Sequence, residues 1–542
     1  MGVRRSMPSS ARARYYKRRL KRLGVLTTVA LILAAVVCGS FVYPVIAPGS
    51  NLSVGYPSTT TPVNETPIAL VREENPIEAQ IATPTEPAEL TSAIPLPTQG
   101  QILPPTEDTH ILYYTIAGDS LPVVSLRFGV SMSEITSPEP IERAGLLPPG
   151  QLLIIPNRLG ETSSRSKLLP DSEVTYSPST IDFDVHGFVA EAGGYLSTYS
   201  EFLFTSRMTS GADVISRVAL EYSVNPRLLL AFLEYNSGWV YGDPQGTVAE
   251  IYPMGHINEG RKGLYRQLAW FASSVMDGYY GWREGRRLVV NFSQGQVLRL
   301  APDLNAGSVG LMHAFSLLYD YEQWAMNLYG DENFFIFYEG MLGSPWIRAL
   351  EVEPLMPADT VQPEMILPFE KGVTWSFTGG PHPAWSSADV WAALDFAPSS
   401  ALPGCVESNA WVVASMPGLV VRSEYGVVVI DLDGDGYEQT GWTLVYLHVA
   451  TKNRIPRGTW VEVGDRIGHP SCEGGRSTGT HIHIARRYNG EWVPADGPLP
   501  FVLSRWTARA GTRPYAGWLT RGTDIIYANT SSPRTAHIIR EE

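Results

Sequence analysis

The hydrophobic rhythm of the chain changes several times, and each change marks a candidate boundary. Residues 24–47 carry no charge at all, a run long enough for the roughly 20 apolar residues that span a bilayer. Residues 48–108 lose all apolar periodicity and are rich in Pro, Thr and Ser, as in Thr59-Thr60-Thr61-Pro62 and Pro104-Pro105, which predicts an extended stalk. Residues 109–158 predict a compact unit of two strands and two helices. Tyr114–Ala117 starts it, Val123, Val124, Leu126 and Phe128 give a helical face ended by Gly129, and Leu152–Pro156 closes it. Residues 159–195 read as a second polar linker. Residues 196–355 read as helical: Val214, Ile215, Val218, Ala219 and Tyr222 form a stripe, Asn225-Pro226 starts a further helix, and 264–276 and 314–328 keep the same spacing. From 356 to 510 the pattern shortens to strand-like alternation around 411–413, 418–421, 427–430, 443–447 and 461–467, broken by Gly, Pro and Asp. Residues 511–542 hold strand-like pieces such as 524–528 but no motif. The expected fold class is multidomain: a single transmembrane helix, a small α+β unit, an all-α middle domain and a mainly antiparallel β C-terminal domain.

Charge sharpens the two ends. The first 23 residues hold nine Lys or Arg and no acid, and removing them from the formal net charge of −13 leaves about −22 for residues 24–542. A basic flank before an apolar run predicts a cytoplasmic tail, a signal anchor and an extracytoplasmic bulk, hence a single-pass cell-membrane protein. A cleaved signal peptide is the competing reading, and Pro48 after Ala47 suits it poorly. So acidic an outer body argues against a nucleic-acid partner. In an oxidising compartment Cys405 and Cys472 are a candidate disulfide, with two buried thiols as the alternative. Nothing in the pattern fixes the oligomeric state.

Within 109–158, Gly118-Asp119-Ser120-Leu121 and Pro149-Gly150-Gln151-Leu152-Leu153-Ile154-Ile155-Pro156 resemble the two ends of a LysM domain. The resemblance implies binding to N-acetylglucosamine-containing glycans such as peptidoglycan. In the helical region, Glu234 ends an apolar helix before Tyr235-Asn236-Ser237-Gly238-Trp239. A carboxyl partly buried there would rise in pKa and suit a general acid; a helix-end glutamate facing solvent is the plain alternative. With Ser237 and Gly310-Leu311-Met312 the segment partially resembles lysozyme-like lytic transglycosylases, although His313 stands where that superfamily has Gln.

The richest chemistry lies further on. Five of the ten histidines fall between 382 and 483. In Thr480-His481-Ile482-His483 two imidazoles share one face of a strand, an arrangement that calls for a metal, partner or substrate. A catalytic zinc site needs three protein ligands and an open position, with a base and an oxyanion donor nearby. His382, Asp395 and His483 are the candidate Zn2+ ligands, with His448 and His481 left for acid–base work. Residues 365–500 resemble the lysostaphin and β-lytic metalloendopeptidases, on Gly475–His483, Tyr446-Leu447-His448 and Val461–Gly468. Most members place the first ligand four residues before the aspartate, where this chain has Trp391. The β-lytic branch uses a Gly-Gly-x-His segment about a dozen residues upstream, matched by Gly379-Gly380-Pro381-His382. The resemblance implies a zinc endopeptidase that cuts peptidoglycan peptides. The alternatives are a non-catalytic wall-binding scaffold and a bifunctional enzyme that also cuts glycan through Glu234. Asp431-Leu432-Asp433-Gly434-Asp435-Gly436 opens like a calcium loop but has Trp442 where a bidentate Glu belongs, and His469 borders the same Gly-rich segment.

Overall fold

The computed structural model describes residues 110–386, 390–399 and 403–542. The expected membrane span at 24–47 and the stalk at 48–108 lie outside those residues. Among the described residues no helix is long and apolar enough to cross a membrane, which corrects the single-pass membrane placement. The 20-residue helix at Leu264–Arg283 carries Arg266, Asp277 and Arg283 and packs into a domain core instead.

Residues 110–156 form a strand–helix–strand unit. Strands β1 (His110–Tyr114) and β2 (Leu152–Pro156) pair antiparallel, with Tyr114 opposite Leu152. Helix α1 (Leu121–Phe128) lays Val124 and Phe128 against Leu153 and Ile155. The second expected helix is only a 3-10 turn at Met132–Glu134. The Gly-Asp turn works through a buried carboxylate: Asp119 accepts from Tyr113 Oη at 2.6 Å, Ile116 N at 2.9 Å and Arg127 Nη1 at 2.7 Å. Arg127 also lies over the Trp282 ring at 4.5 Å, which docks the unit on the helical region.

That region contains α2 (Gly211–Tyr222), α3 (Pro226–Ser237), α4 (Leu264–Arg283), α5 (Ala306–Ser316) and α6 (Pro345–Val352). Asn225 caps α3 by accepting from Arg227 N, Pro226 opens it, and Gly238 at φ +67° stops it. Helices α4 and α5 cross closely: a Cβ on Gly310 would lie 2.8 Å from Val275 O, and one on Gly278 2.8 Å from Gly310 Cα. The region is not purely helical, because the hairpins Ser200–Leu203/Arg207–Ser210 and Val289–Asn291/Val297–Arg299 interrupt it. Residues 159–195 are not a bare linker either. Leu168, Leu169, Val174, Val185 and Val189 are all buried in the helical core.

The C-terminal region is built on a nine-stranded antiparallel sheet. Its strands are β3 (Thr374–His382), β4 (Ala393–Pro398), β5 (Gly418–Glu424), β6 (Gly426–Asp431), β7 (Trp442–Val449), β8 (Trp460–Val461), β9 (Ile482–Tyr488), β10 (Glu491–Trp492) and β11 (His537–Ile539). They lie in the order β8-β5-β6-β7-β9-β4-β3-β11, with β10 turned back on β9. Residues 511–542 thus belong to the fold: β11 pairs with β3, and Gly517–Arg521 and Asp524–Tyr527 complete a four-stranded sheet with Val502–Leu503 and Trp506–Ala510.

Side chains on these strands alternate between two cores. Leu394, Phe396, Val428, Ile430, Leu444, Tyr446, Ile482 and Ile484 face one core within the β region. Ala393, Val427, Val429, Val445, Leu447 and Ala485 face the other, which is continuous with the helical core. The period of two therefore decides which face the helical region covers.

Candidate metal centre

Asp395 lies between Leu394 and Phe396, and His483 between Ile482 and Ile484, so both point to the face that the helical region covers. They sit directly opposite each other across β4 and β9. His382 ends β3, where two register shifts, between Phe377 and Gly379 and between Gly379 and His382, re-aim the strand. The preceding glycines are needed for space. A Cβ on Gly379 would stand 2.6 Å from Asp395 Oδ2, and one on Gly380 2.8 Å from Ala516 O.

Three donor atoms converge. His382 Nε2 is 3.0 Å from His483 Nδ1 and 3.2 Å from Asp395 Oδ1, and His483 Nδ1 is 3.3 Å from the same oxygen. A tetrahedral ion with bonds of about 2.0–2.1 Å sets its ligands about 3.3 Å apart. The other ring nitrogens are committed elsewhere. His382 Nδ1 lies 2.8 Å from Gly380 O, and His483 Nε2 3.0 Å from Ala384 O. Each N–H donated to a carbonyl leaves the converging nitrogen as a lone pair, the tautomer a metal requires. Asp395 Oδ1 is buried and accepts no hydrogen bond. A buried carboxylate oxygen ringed by imidazole nitrogens, with no donor of its own, fits a cation. Burial pushes the Asp395 carboxyl up, but the surrounding His382, His481 and His483 imidazoles outweigh it and hold the group well below the usual carboxylate range.

His448 and His481 complete the cluster, with rings 4.4 Å apart. His448 Nδ1 is 2.8 Å from Glu473 O and His481 Nδ1 2.7 Å from Gly479 O, so both present Nε2 to the site. His481 Nε2 stands 3.7 Å from Asp395 Oδ1. Burial and the neighbouring His481 and His483 lower His448 to about 3, so it is a neutral imidazole at neutral pH. Burial likewise lowers His483. His448 adopts φ +69°, a left-handed conformation that costs about 1–2 kcal/mol for a non-glycine residue.

One feature had no signal in the sequence. Tyr515, from the C-terminal segment, stacks on His382 with ring centroids 4.2 Å apart. Its carbonyl accepts from Gly380 N at 2.9 Å, and its N–H donates to Pro381 O at 3.2 Å. The Cys405–Cys472 disulfide, foreseen as a candidate pair, ties together the loops on either side of Thr480, whose N–H donates to Gly404 O at 3.1 Å. Trp391 takes no part in the cluster; it is His382 that meets Asp395.

The remaining candidates sit elsewhere. Glu234 Oε2 accepts from Val240 N at 2.6 Å and Tyr241 N at 3.1 Å, so its carboxylate anchors the turn after α3. Ser237 donates back into its own helix, to Leu233 O. Gly310-Leu311-Met312 lies buried on α5, and His313 Nε2 is 3.1 Å from Asp277 Oδ2. His469 packs on Trp411 with its Nδ1 2.8 Å from Ala410 O, a structural placement. Asp431, Asp433 and Asp435 do come together.

The helical region leaves the metal-site cluster little access. Side-chain exposure is 2% for His382, 10% for Asp395, 7% for His483 and 17% for His481. A cleft of about 540 Å³ runs between α2 and the sheet, lined by Leu220, Glu221, Trp385, Arg422, Tyr425 and Gly474 among others.

A β sheet that gathers two histidines and an aspartate around one point, with two further imidazoles beside them, has the donor set for a metal ion. Known proteins narrow the likeness. A family model described as the LasA N-terminal domain matches residues 167–357. Protease LasA of Pseudomonas aeruginosa PAO1 is 24% identical over 360 residues, covering 62% of this chain and 78% of that protein. Among solved structures, the M23 metalloprotease pseudoalterin from the deep sea shares 22% identity over 31% of this chain and 96% of its own, with a TM-score of 0.26. Lysostaphin of Staphylococcus simulans shares 18% over 29% and 66%, with a TM-score of 0.16. TM-scores that low carry no argument, so the likeness to LasA rests on sequence.

Proposed function

We propose that this chain is a peptidase of the cell wall that cleaves peptide bonds of peptidoglycan, using zinc held by His382 Nε2, Asp395 Oδ1 and His483 Nδ1. The observation that carries the reading is the triangle of those atoms, with each imidazole N–H tied to a carbonyl and the carboxylate oxygen left without a donor. The likeness to proteases named LasA supports the class of reaction.

Zinc bound there would supply acidified water and a Lewis acid for the scissile carbonyl. The protein's own groups do the rest. His448, neutral and fixed through Nδ1, offers the Nε2 lone pair to take a proton from the attacking water. His481, the most exposed of the ligand-side imidazoles, presents Nε2 where it can hand a proton to the leaving amine or hold the oxyanion. Tyr515 fixes the His382 ring from behind. The 110–156 unit, by its likeness to LysM, would hold the enzyme to wall glycan. Glu234 Oε2 is engaged by two backbone N–H groups in the turn after α3, which favours a structural role over the glycan-cleaving alternative.

The test is digestion of purified peptidoglycan by the full chain loaded with zinc. New amino ends should appear with wild type and vanish with His483→Ala. If wild type retains zinc yet releases neither amino ends nor soluble peptides at any pH from mildly acid to alkaline, the non-catalytic scaffold takes its place.

A further inference from the structure

The hairpin joining β9 to β10 plugs into the helical region. Arg487 Nη2 donates to Leu220 O at 2.9 Å, Asn489 Nδ2 to Leu355 O at 2.8 Å, and Trp492 N to Tyr280 Oη at 2.8 Å. At its centre Glu491, 2% exposed, accepts from the Tyr279 hydroxyl and from Arg283 Nη2, the latter at 2.8 Å. The same Arg283 nitrogen reaches Asp171 Oδ2 at 3.0 Å, and Arg283 also donates to Ala117 O of the 110–156 unit. Glu353, just past α6, accepts from Ser172 N at 2.8 Å beside Asp171. Asp171 Oδ1 is itself fully used, by Asn305 Nδ2 at 2.8 Å and Gly307 N at 2.7 Å. Two carboxyls, Asp171 and Glu491, therefore share one guanidinium at a buried seam, with the Glu353 carboxyl beside them on Ser172 N, and Glu491 Oε2 has no hydrogen-bond partner. Such a group cannot ionise fully without leaving uncompensated negative charge in a low dielectric.

We propose that the Asp171–Glu353–Glu491 cluster around Arg283 is a pH-sensitive latch that holds the helical region over the metal-bearing face of the sheet. The groups facing it come from every packed element: Tyr279 and Arg283 from α4, Asp171 from the turn 171–173, Glu353 from the segment after α6, and Glu491 from β10. On the hairpin's far side Arg487 lies over Trp492 and turns toward Glu438 at 3.5 Å. Burial raises Glu491 above the usual carboxylate range, with Asp171 adding to the effect and Arg283 opposing it. Burial and Asp171 raise Glu353 to about 7. Carboxyls raised on closure bind more protons in the closed form. The seam's stability is therefore complete below the ordinary glutamate value and is lost as pH rises through about 7. Because β9 carries His483 at one end and leads into this hairpin at the other, loosening the seam uncovers the ligand-bearing face. The latch stands independently of what the metal site hydrolyses.

The test is hydrogen exchange on the full chain at about pH 5.5 and about pH 8.5, corrected for intrinsic exchange rates. Protection of amides 488–493 and 279–283 should fall at least about ten-fold at the higher pH in wild type. Glu353→Gln should remove most of that dependence, and Glu491→Gln the same if the first variant folds poorly. Wild-type protection that is flat with pH, or an unchanged pH dependence in folded Glu353→Gln and Glu491→Gln, would overturn the latch.

Discussion

Among the described residues, two groups of side chains bring three candidate ligands within 4.8 Å of one another: His382, Asp395 and His483 on the sheet, and Asp431, Asp433 and Asp435 at the tip that begins at the end of β6. They differ in what surrounds them. In the first, the atoms pointing away from the centre are taken by Gly380 O and Ala384 O, while the atoms pointing inward have no other use. In the second, the carboxylates are consumed by their own turn. Asp431 accepts from the N–H groups of Asp433, Gly434 and Gly436, and Asp435 from Tyr437 N and Thr440 Oγ1. Burial and the neighbouring acids push Asp431 up to about 9, whereas the imidazoles around Asp395 hold it down. The number of donors is therefore a poor guide to a metal site. Orientation by an outer layer of partners is a better one.

The comparison breaks most directly on activity. His483→Ala should cut release of amino ends from peptidoglycan by at least about 1000-fold, since it removes a ligand rather than an outer partner, while Asp433→Asn should leave the rate unchanged; the reverse pattern would transfer the chemistry to the acidic tip. Next in size is the disulfide beside the first group. It closes a loop of 67 residues, and replacing both cysteines by serine should lower stability by about 4 kcal/mol in a denaturant melt. Tyr515→Ala should weaken zinc retention by about ten-fold in a chelator competition, as expected for loss of a group that orients a ligand, with Tyr515→Phe restoring it if stacking is the cause. The smallest effect belongs to Glu234→Gln. Its two backbone hydrogen bonds should make it about 1–2 kcal/mol less stable, with no change in sugar ends released from the wall. A loss of such ends would return Glu234 to the role of general acid.

Much of the first group was legible in the chain. The apolar runs at 427–430 and 443–447 mark two of the strands, and the parity within Thr480-His481-Ile482-His483 places His483 and His481 on one face. The resemblance of Gly379-Gly380-Pro381-His382 to the Gly-Gly-x-His segment of the β-lytic metalloendopeptidases named His382, and the structure adds that the two glycines leave room for Asp395 and Ala516. What covers that face was not legible. Parity says that Val427, Val429, Val445 and Leu447 face away from the inner core, but not that helices from residues far earlier will bury them. Tyr515 was invisible for the same reason, since its contact with His382 spans 133 positions of sequence. Residues 159–195 misled because their buried Leu168, Leu169, Val174, Val185 and Val189 are scattered among Ser, Pro and Asp without a period. The Glu234 helix was read correctly as a helix, yet the use of its last carboxylate depends on the turn at Val240 and Tyr241 folding back.

The central claim is that His382, rather than the residue four before Asp395, completes the metal site. Elemental analysis of the purified full chain after zinc loading and desalting tests it directly, with His382→Ala and Trp391→Phe in parallel. The account predicts one zinc per chain in wild type and Trp391→Phe, and none retained in folded His382→Ala. A zinc-free wild type, or a His382→Ala protein that keeps its metal, would contradict it.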